Sequence, residues 1–206
     1  MEENYKELSH KEMKEFIHYI STLSENTYNL LENLLTWSRI QLNKVDLTPV
    51  EFKLQGIVDS VIRLLDNNIQ KKKLTVTNKI DKNLKVYADE RSIEMVLRNL
   101  LSNAVKFTPN GGRVDIFSKT IEDDKEQKPY HEICVKDTGV GIPGRHLDDL
   151  FNVATLYTTN GTNKEKGTGL GLILCKEFIE KNKGTLRIES KVGKGSKFYF
   201  TLPVGI

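Results

Sequence analysis

One apolar stripe decides how this sequence can begin to fold. Met13, Phe16, Ile20, Leu23, Thr27, Leu30, Leu34 and Trp37 recur at alternating spacings of three and four, the repeat of a seam along one α-helix. Thr27 is its polar member, and Ile17, Leu31 and Leu35 widen it. Lys14, Glu15, Glu25, Asn29 and Glu32 take the opposite face. The spacing predicts one long helix over residues 11–41. A lone helix cannot bury such a stripe, so it needs a second helix, from this chain or from a partner.

The pattern changes after residue 41. LNKVDLTP (42–49) is a linker, and Pro49 excludes helix at Thr48. GIVDSVIRLLDNNIQ (56–70) reads as helix, and LTVTNKI and KVYA as short strands. Asp89 is an N-cap for a helix from about Glu90 to Phe107. RVDIFSKTI and YHEICVKD alternate as two antiparallel strands joined by the polar loop EDDKEQKP. A Gly/Thr/Asn-rich stretch (153–168) precedes a helix ending near Asn182, and TLRIESK and SKFYFTLP form a closing hairpin over VGKG. This order predicts an α+β domain, a two-layer sandwich with a mixed sheet and helices on one face, preceded by the long helix. The boundaries expected are 1–42 for the helical region, 43–49 for the linker and 50–206 for the domain.

Charge and cysteine content narrow the function classes. The net charge of +3 is uneven: residues 1–50 carry 5 basic and 8 acidic side chains, and the remainder 26 and 20. A mildly basic domain suits a small polyanion such as a nucleotide. Its lysines are scattered among acids with no basic, aromatic-laced stripe, which argues against nucleic acid. No stretch approaches the ~20 apolar residues of a membrane span, and MEENYKELSHKEMKE is not a signal peptide. Cys134 and Cys175 are too few and too far apart for a disulfide scaffold or a zinc site. They read as buried thiols of a soluble protein in a reducing compartment.

Three motifs carry chemistry. In NLLSNAVKF (99–107), Asn99, Asn103 and Lys106 share one helix face, while Leu97, Leu100, Leu101 and Ala104 supply the buried side. Carboxamide oxygens suit a hard cation such as Mg²⁺ that also takes phosphate oxygens, and Lys106 offers a point charge to phosphate. Taken alone, such asparagines equally fit a solvated face. In DTGVGIP (137–143), a carboxylate at a strand end can accept from an exocyclic amine, as on adenine, and guanine's carbonyl would leave it unpaired. Gly139, Gly141 and Gly144 also spell GxGxxG, but Pro143 precedes the third glycine and TTNGTN, a loop, lies ~20 residues on. A dinucleotide fold needs a helix and then an acid-ended strand there. In GTGLGL (167–172), glycines at a helix start can cradle phosphate with backbone N–H groups. No GxxxxGK[ST] occurs, so a nucleotide site here is not a P-loop.

With these residues in hand, the sequence resembles the C-terminal part of bacterial sensor histidine kinases. NLLSNAVKFTPNGG resembles their N box, DTGVGIP their G1 box, GTGLGL their G2 box and VGKGSKFYFTLP their last glycine box and strand. Residues 50–206 thus resemble a complete ATP-binding domain of the Bergerat (GHKL) fold, and LLENLLTWSRIQLNKVDLTP the second helix of the dimerisation and phosphotransfer hairpin.

The resemblance implies ATP and Mg²⁺ as ligands, with Mg²⁺ on Asn103 and phosphate contacts from Asn99 and Lys106. Phe107 would pack near the nucleotide, and Asp137, with Gly139, Gly141 and Ile142, would hold the adenine. Lys166, Gly167, Thr168, Gly169, Leu170 and Gly171 would wrap the phosphates. Residues 152–167 would form a lid, and Phe151 matches the surviving aromatic of the F box. The partners implied are a response-regulator receiver domain and a second copy joined through residues 11–41. A cytoplasmic location follows for this segment, within a parent protein of a kind commonly anchored in the inner membrane.

Two departures from the family stand out, along with one difference from its ATP-hydrolysing relatives. The lid arginine common in the family is absent from Asn152-Val153-Ala154-Thr155-Leu156, leaving Lys164 or Lys166 to supply its charge. The family's acceptor box, H-[DE]-hydrophobic-x-x-P, fits none of His10, His18, His131 and His146, and the acceptor helix is expected before Met1. The glutamate that activates water in ATP-hydrolysing relatives of the fold is replaced by Met95, with Glu94 rotated ~100° away. The expectation is therefore the catalytic part of a histidine kinase that binds ATP without labelling itself. The alternative is a docking module that has given up nucleotide.

Overall fold

The computed structural model describes residues 9–122, 129–152, 155, 158–163, 165 and 167–205. Helix α1 spans His10–Gln41 and starts in a capping box, in which Ser9 Oγ accepts from the Glu12 N–H and Glu12 accepts from the Ser9 N–H. It ends at Leu42, ahead of Asn43 in the left-handed region at φ 50°. Ile40 is buried, and Trp37 packs half-buried against the core. Upstream the stripe is bare: Phe16, Ile17, Leu31 and Leu35 are each more than half exposed.

The domain follows. β1 (Val50–Lys53), α2 (Leu54–Lys71), β2 (Thr75–Asn78), β3 (Lys85–Ala88), α3 (Glu90–Phe107), β4 (Arg113–Glu122) and β5 (Pro129–Asp137) form its first part. Two short 3-10 turns, Gly144–His146 and Asp148–Phe151, lead toward α4 (Gly171–Lys181), β6 (Leu186–Lys191) and β7 (Gly195–Pro203). Five strands lie in the order β2-β4-β5-β7-β6, with β2 parallel to β4 and every other pair antiparallel. The sheet is mixed, with α2, α3 and α4 packed on one face.

β1 has no counterpart in the sequence reading. It pairs antiparallel with β3 in a separate two-stranded sheet, Val50 opposite Ala88. Four residues beyond a proline, three of them exposed or nearly so, give too short an alternation to declare a strand. Helix α2 also begins two residues before the periodic segment, and α4 begins at Gly171, inside the glycine motif.

The core explains the layer. Ile93, Val96, Leu97, Leu100, Leu101 and Ala104 of α3 are buried at helical spacing against Val114, Ile116, Ile133 and Phe200 of the sheet. Each fully buried aliphatic side chain of this kind contributes about 1.5–3 kcal/mol. The opposite sheet face is charged, with Arg187 stacked 3.6 Å from the Tyr199 ring centre and paired to Glu132 at 2.9 Å. Cys134 and Cys175 are buried and unpaired. Burial pushes the Cys134 thiol up to about 12 and the Cys175 thiol up as well, so neither is a thiolate at neutral pH.

α3 and α4 are locked by a buried carboxamide. Asn182 Oδ1 accepts from the Asp89 N–H at 2.7 Å, and Nδ2 donates to Ser92 Oγ at 2.9 Å and to the Phe178 carbonyl at 2.8 Å. Asp89 meanwhile caps α3 by accepting from the Ser92 N–H at 2.8 Å, and receives the Thr48 N–H of the linker on its other oxygen. Asn182→Ala strands the Asp89 N–H and is expected to cost about 1–3 kcal/mol. Thermal unfolding checks this as a fall in Tm of several degrees for a chain of this size; an unchanged Tm removes the joint from the account.

Candidate functional site

Helix α3 builds one wall. Its buried face fixes its rotation, so Asn99, Asn103 and Lys106 stand together on the partly open side. Asn99 Nδ2 donates to the Met95 carbonyl at 3.1 Å. Its Oδ1 lies against the first residue of α4, where a Cβ on Gly171 would come within 2.6 Å of it. Lys106 stands half-buried, its Nζ 4.7 Å from the Phe107 ring centre and 2.8 Å from where a Cβ on Gly167 would lie. Burial pulls its ammonium below the usual lysine range; the nearby Glu165 carboxylate opposes this and the Lys72 ammonium adds to it.

The DTGVGIP turn joins this wall at the helix end. The Phe107 carbonyl accepts from the Val140 N–H at 3.2 Å. Asp137, at the end of β5 and 4% exposed, receives the Gly139 N–H at 2.7 Å and the Ser196 N–H at 3.1 Å, both on Oδ1. Among the described residues these are its hydrogen bonds, which leaves Oδ2 with acceptor capacity. Burial raises the Asp137 carboxyl above the usual aspartate range, and the two N–H groups offset that only in part. Gly141 sits at φ 71°, and a Cβ there would overlap the Lys191 carbonyl of the β6–β7 turn. Only glycine meets both conditions. Ile142 is held by its N–H on Ser190 Oγ at 2.8 Å.

The GTGLGL segment closes the third side. Gly167, Thr168, Gly169 and Leu170 run into α4, with Gly169 at φ 79° and Leu170 buried as the residue before the helix. Thr168 Oγ1 accepts from the Leu170 N–H and, at the same 3.4 Å, from Asn33 Nδ2 on α1. Thus Asn99, Lys106 and Phe107 of one helix touch Gly171, Gly167 and Val140 of the two glycine motifs. Lys166, with Val153, Ala154, Leu156, Tyr157 and Lys164 of the lid segment, lies outside the described residues. Phe151 ends the second 3-10 turn, next to exposed Asn152.

The donor set fits a nucleotide better than a bare metal. Among the described residues no three His, Cys, Asp or Glu side chains converge on a point. A divalent cation here would rest on the Asn103 carboxamide, water and phosphate oxygens, which is how Mg²⁺ is usually held. Two elements escaped the sequence. Lys72, buried at 2% exposure, lies in a run of three lysines that reads as a solvated surface. Ser196 contributes a main-chain N–H, which no residue pattern announces.

Comparison with known proteins agrees on one group. Residues 88–206 match the family of histidine kinase-, DNA gyrase B-, and HSP90-like ATPases. The hybrid signal transduction histidine kinase B of Dictyostelium discoideum is 34% identical over 195 residues, 94% of this chain and 10% of that protein. The adaptive-response sensory kinase SasA of a Synechococcus strain is 35% identical over 179 residues, 85% of this chain and 45% of that one. The chain spans less than half the length of either. Among solved structures, the catalytic domain of histidine kinase ThkA superposes with a TM-score of 0.64 at 28% identity, over 77% of this chain and 97% of that one.

The Asp137 carboxylate carries a cost that the empty fold has to bear. A carboxyl raised in the folded state above its unfolded value destabilises the fold once pH exceeds the unfolded value, and fully so above the raised one. Asp137→Asn keeps an acceptor for Gly139 and Ser196 without the charge. It is expected to unfold at a higher temperature than the native chain at pH 7. The gap is expected to close as pH falls toward the ordinary aspartate value of 3.8. A variant that melts lower at pH 7 contradicts this.

Proposed function

Because this chain belongs to the histidine kinase-, DNA gyrase B-, and HSP90-like ATPase family, we propose that it is the ATP-binding catalytic part of a sensor histidine kinase. It directs the γ-phosphoryl group of ATP to a histidine that is none of the four in this chain. From there the group passes to an aspartate of a response-regulator receiver domain. The observation that carries the reading is Asp137: a buried carboxylate fixed by two main-chain N–H groups, with one oxygen still able to accept. That is the chemistry an adenine amine requires.

Each neighbour then has a task. Gly139, Gly141 and Ile142 shape the turn under the base. Phe107 packs beside the nucleotide, and Lys106 meets a phosphate as a point charge. Asn99 supports the phosphates, and Gly167, Thr168, Gly169, Leu170 and Gly171 offer main-chain N–H groups at the start of α4. Lys166 belongs with them on the sequence pattern. Mg²⁺ on Asn103 would supply neutralising charge between phosphate oxygens. Phosphoryl transfer asks the protein chiefly for positioning and charge compensation, which this set of residues provides.

Water activation is not provided for. Met95 is half-buried with its carbonyl engaged by Asn99, and Glu94 is exposed on another face. A thioether cannot serve as a base, so the domain is a transferase with little ATP hydrolysis of its own. The bare stripe of α1 is proposed to seat a second copy of the chain through residues 11–41. No helix among the described residues is long and apolar enough to cross a membrane.

A thermal-shift titration tests the site. ATP with Mg²⁺ at a hundredfold excess over its Kd is expected to add about 2.7 kcal/mol, and GTP or chelated ATP much less. Asp137→Asn is expected to weaken ATP binding about ten- to a hundredfold while narrowing the gap to GTP. Asn103→Ala is expected to abolish the Mg²⁺ dependence. A native chain with no shift for any nucleotide favours the docking module. Label from γ-³²P-ATP appearing on the chain itself, or steady ATP hydrolysis, overturns the assigned chemistry.

A further inference from the structure

Lys72 is the middle of three consecutive lysines, yet Lys71 and Lys73 are exposed while Lys72 is 2% exposed. Lysine is almost never buried to that degree without partners, and here they are specific. Its Nζ donates to the Val105 carbonyl at 2.9 Å, the Lys106 carbonyl at 2.7 Å and Thr162 Oγ1 at 2.7 Å. It also pairs with Glu165 Oε1 at 3.0 Å. The two carbonyls belong to the last turn of α3, which has no further helical N–H to receive. Pro109, four residues beyond Val105, has none to give.

The same ammonium therefore ties Thr162 and Glu165 to the end of α3. Thr162 N–H donates to the Lys106 carbonyl at 3.1 Å, and the Gly161 N–H to the Glu165 carbonyl at 2.8 Å. Glu165 Oε2 accepts from the Asn163 N–H at 2.8 Å, so both carboxylate oxygens are taken. Burial pushes the Glu165 carboxyl up, but the N–H groups and Lys72 together hold it below the usual glutamate range. Lys106 lies on that same side of Gly161: a Cβ on that glycine would meet Lys106 Cγ at 2.6 Å as well as the Glu165 carboxylate. Among the described residues, Glu165 thus has the buried Lys72 ammonium as its ion-pair partner, while its charge also acts on the Lys106 ammonium.

We propose that Lys72 is a positioning residue for the phosphate end of the site: it holds the Glu165 carboxylate away from Lys106 and so keeps Lys106 free to meet phosphate. This rests on the reading of Lys106 as a phosphate contact. Without Lys72, Lys106 remains as a neighbouring cation whose ammonium already feels the Glu165 charge. A pairing between them would neutralise the phosphate contact and bring a like charge to the phosphates.

Isothermal titration of ATP, ADP and adenosine, each with Mg²⁺, into the native chain, Lys72→Met and Lys72→Met/Glu165→Gln decides this. Lys72→Met is expected to weaken ATP and ADP about tenfold or more and to leave adenosine unchanged. Removing the Glu165 charge in the double variant is expected to restore most of the loss, which a merely structural role for Lys72 would not allow. Unchanged ATP affinity in Lys72→Met, an equal loss for adenosine, or no recovery in the double variant overturns the proposal. A native chain that binds none of the three instead overturns the nucleotide reading and the phosphate role with it. Amide exchange then still tests the latch itself, since Gly161 and Thr162 are expected to exchange faster in Lys72→Met, and equal rates abolish it.

Discussion

The rotation of α3 about its own axis is the constraint on which the rest depends. Its apolar residues are buried almost to zero exposure against the sheet and α2, and a helix so anchored cannot turn without exposing several of them. Asn99, Asn103 and Lys106 therefore face the site because Leu97, Leu100, Leu101 and Ala104 cannot. The helix ends are fixed with equal care. Asp89 and Asn182 hold the first turn, and Lys72 holds the last. Three other parts of the site touch this helix: the start of α4 at Asn99, the glycines before it at Lys106, and the G1-like turn at the Phe107 carbonyl.

Asp137 shows what such a site asks of a fold. A carboxylate at 4% exposure loses most of its hydration, and two main-chain N–H groups replace only part of it. A protein selected for stability alone would place a neutral acceptor there. The retained charge is what the proposed adenine amine would need, its N–H completing the carboxylate's shell. Gly141 and Gly195 belong to the same arrangement. At φ 71° and 88°, each lets the backbone pass where a Cβ would strike a carbonyl, Lys191 for one and Asp137 for the other.

Much of this was legible in the sequence, for a physical reason. Long elements with a strong period, such as α3 and the β4–β5 pair, announce themselves because burial on one face repeats. Asp89 announced the start of α3 because a short acceptor before an apolar run has few other uses. β1 did not, since a four-residue strand beside a linker repeats nothing. Lys72 and Glu165 were equally silent: a buried lysine and an exposed one are the same letter, and their pairing joins residues 93 apart in the chain. The role of Ser196 lies in its main chain, where the side chain says nothing. The motifs marked the face proposed to meet a ligand, whereas the charges behind that face required coordinates.

The first helix presents a different problem from the domain. Ile40 is buried and Trp37 half-buried, and Gln41 and Asn43 add polar contacts to Glu177 and Lys181 of α4. Asn33, on the next turn up, reaches Thr168 at the long end of hydrogen-bonding distance. Beyond that point the described residues of the stripe are exposed. An isolated helix is marginal in water even with good propensity, because packing rather than the backbone supplies most of its stability. The exposed stripe holds large side chains worth about 1.5–3 kcal/mol each on full burial, against a typical net fold stability of about 5–15 kcal/mol. Covering a few of them would therefore shift the helix from marginal to firmly folded. A helix that ends on the domain beside Thr168, with its apolar stripe still to be covered, would join whatever covers that stripe to the mouth of the proposed nucleotide site.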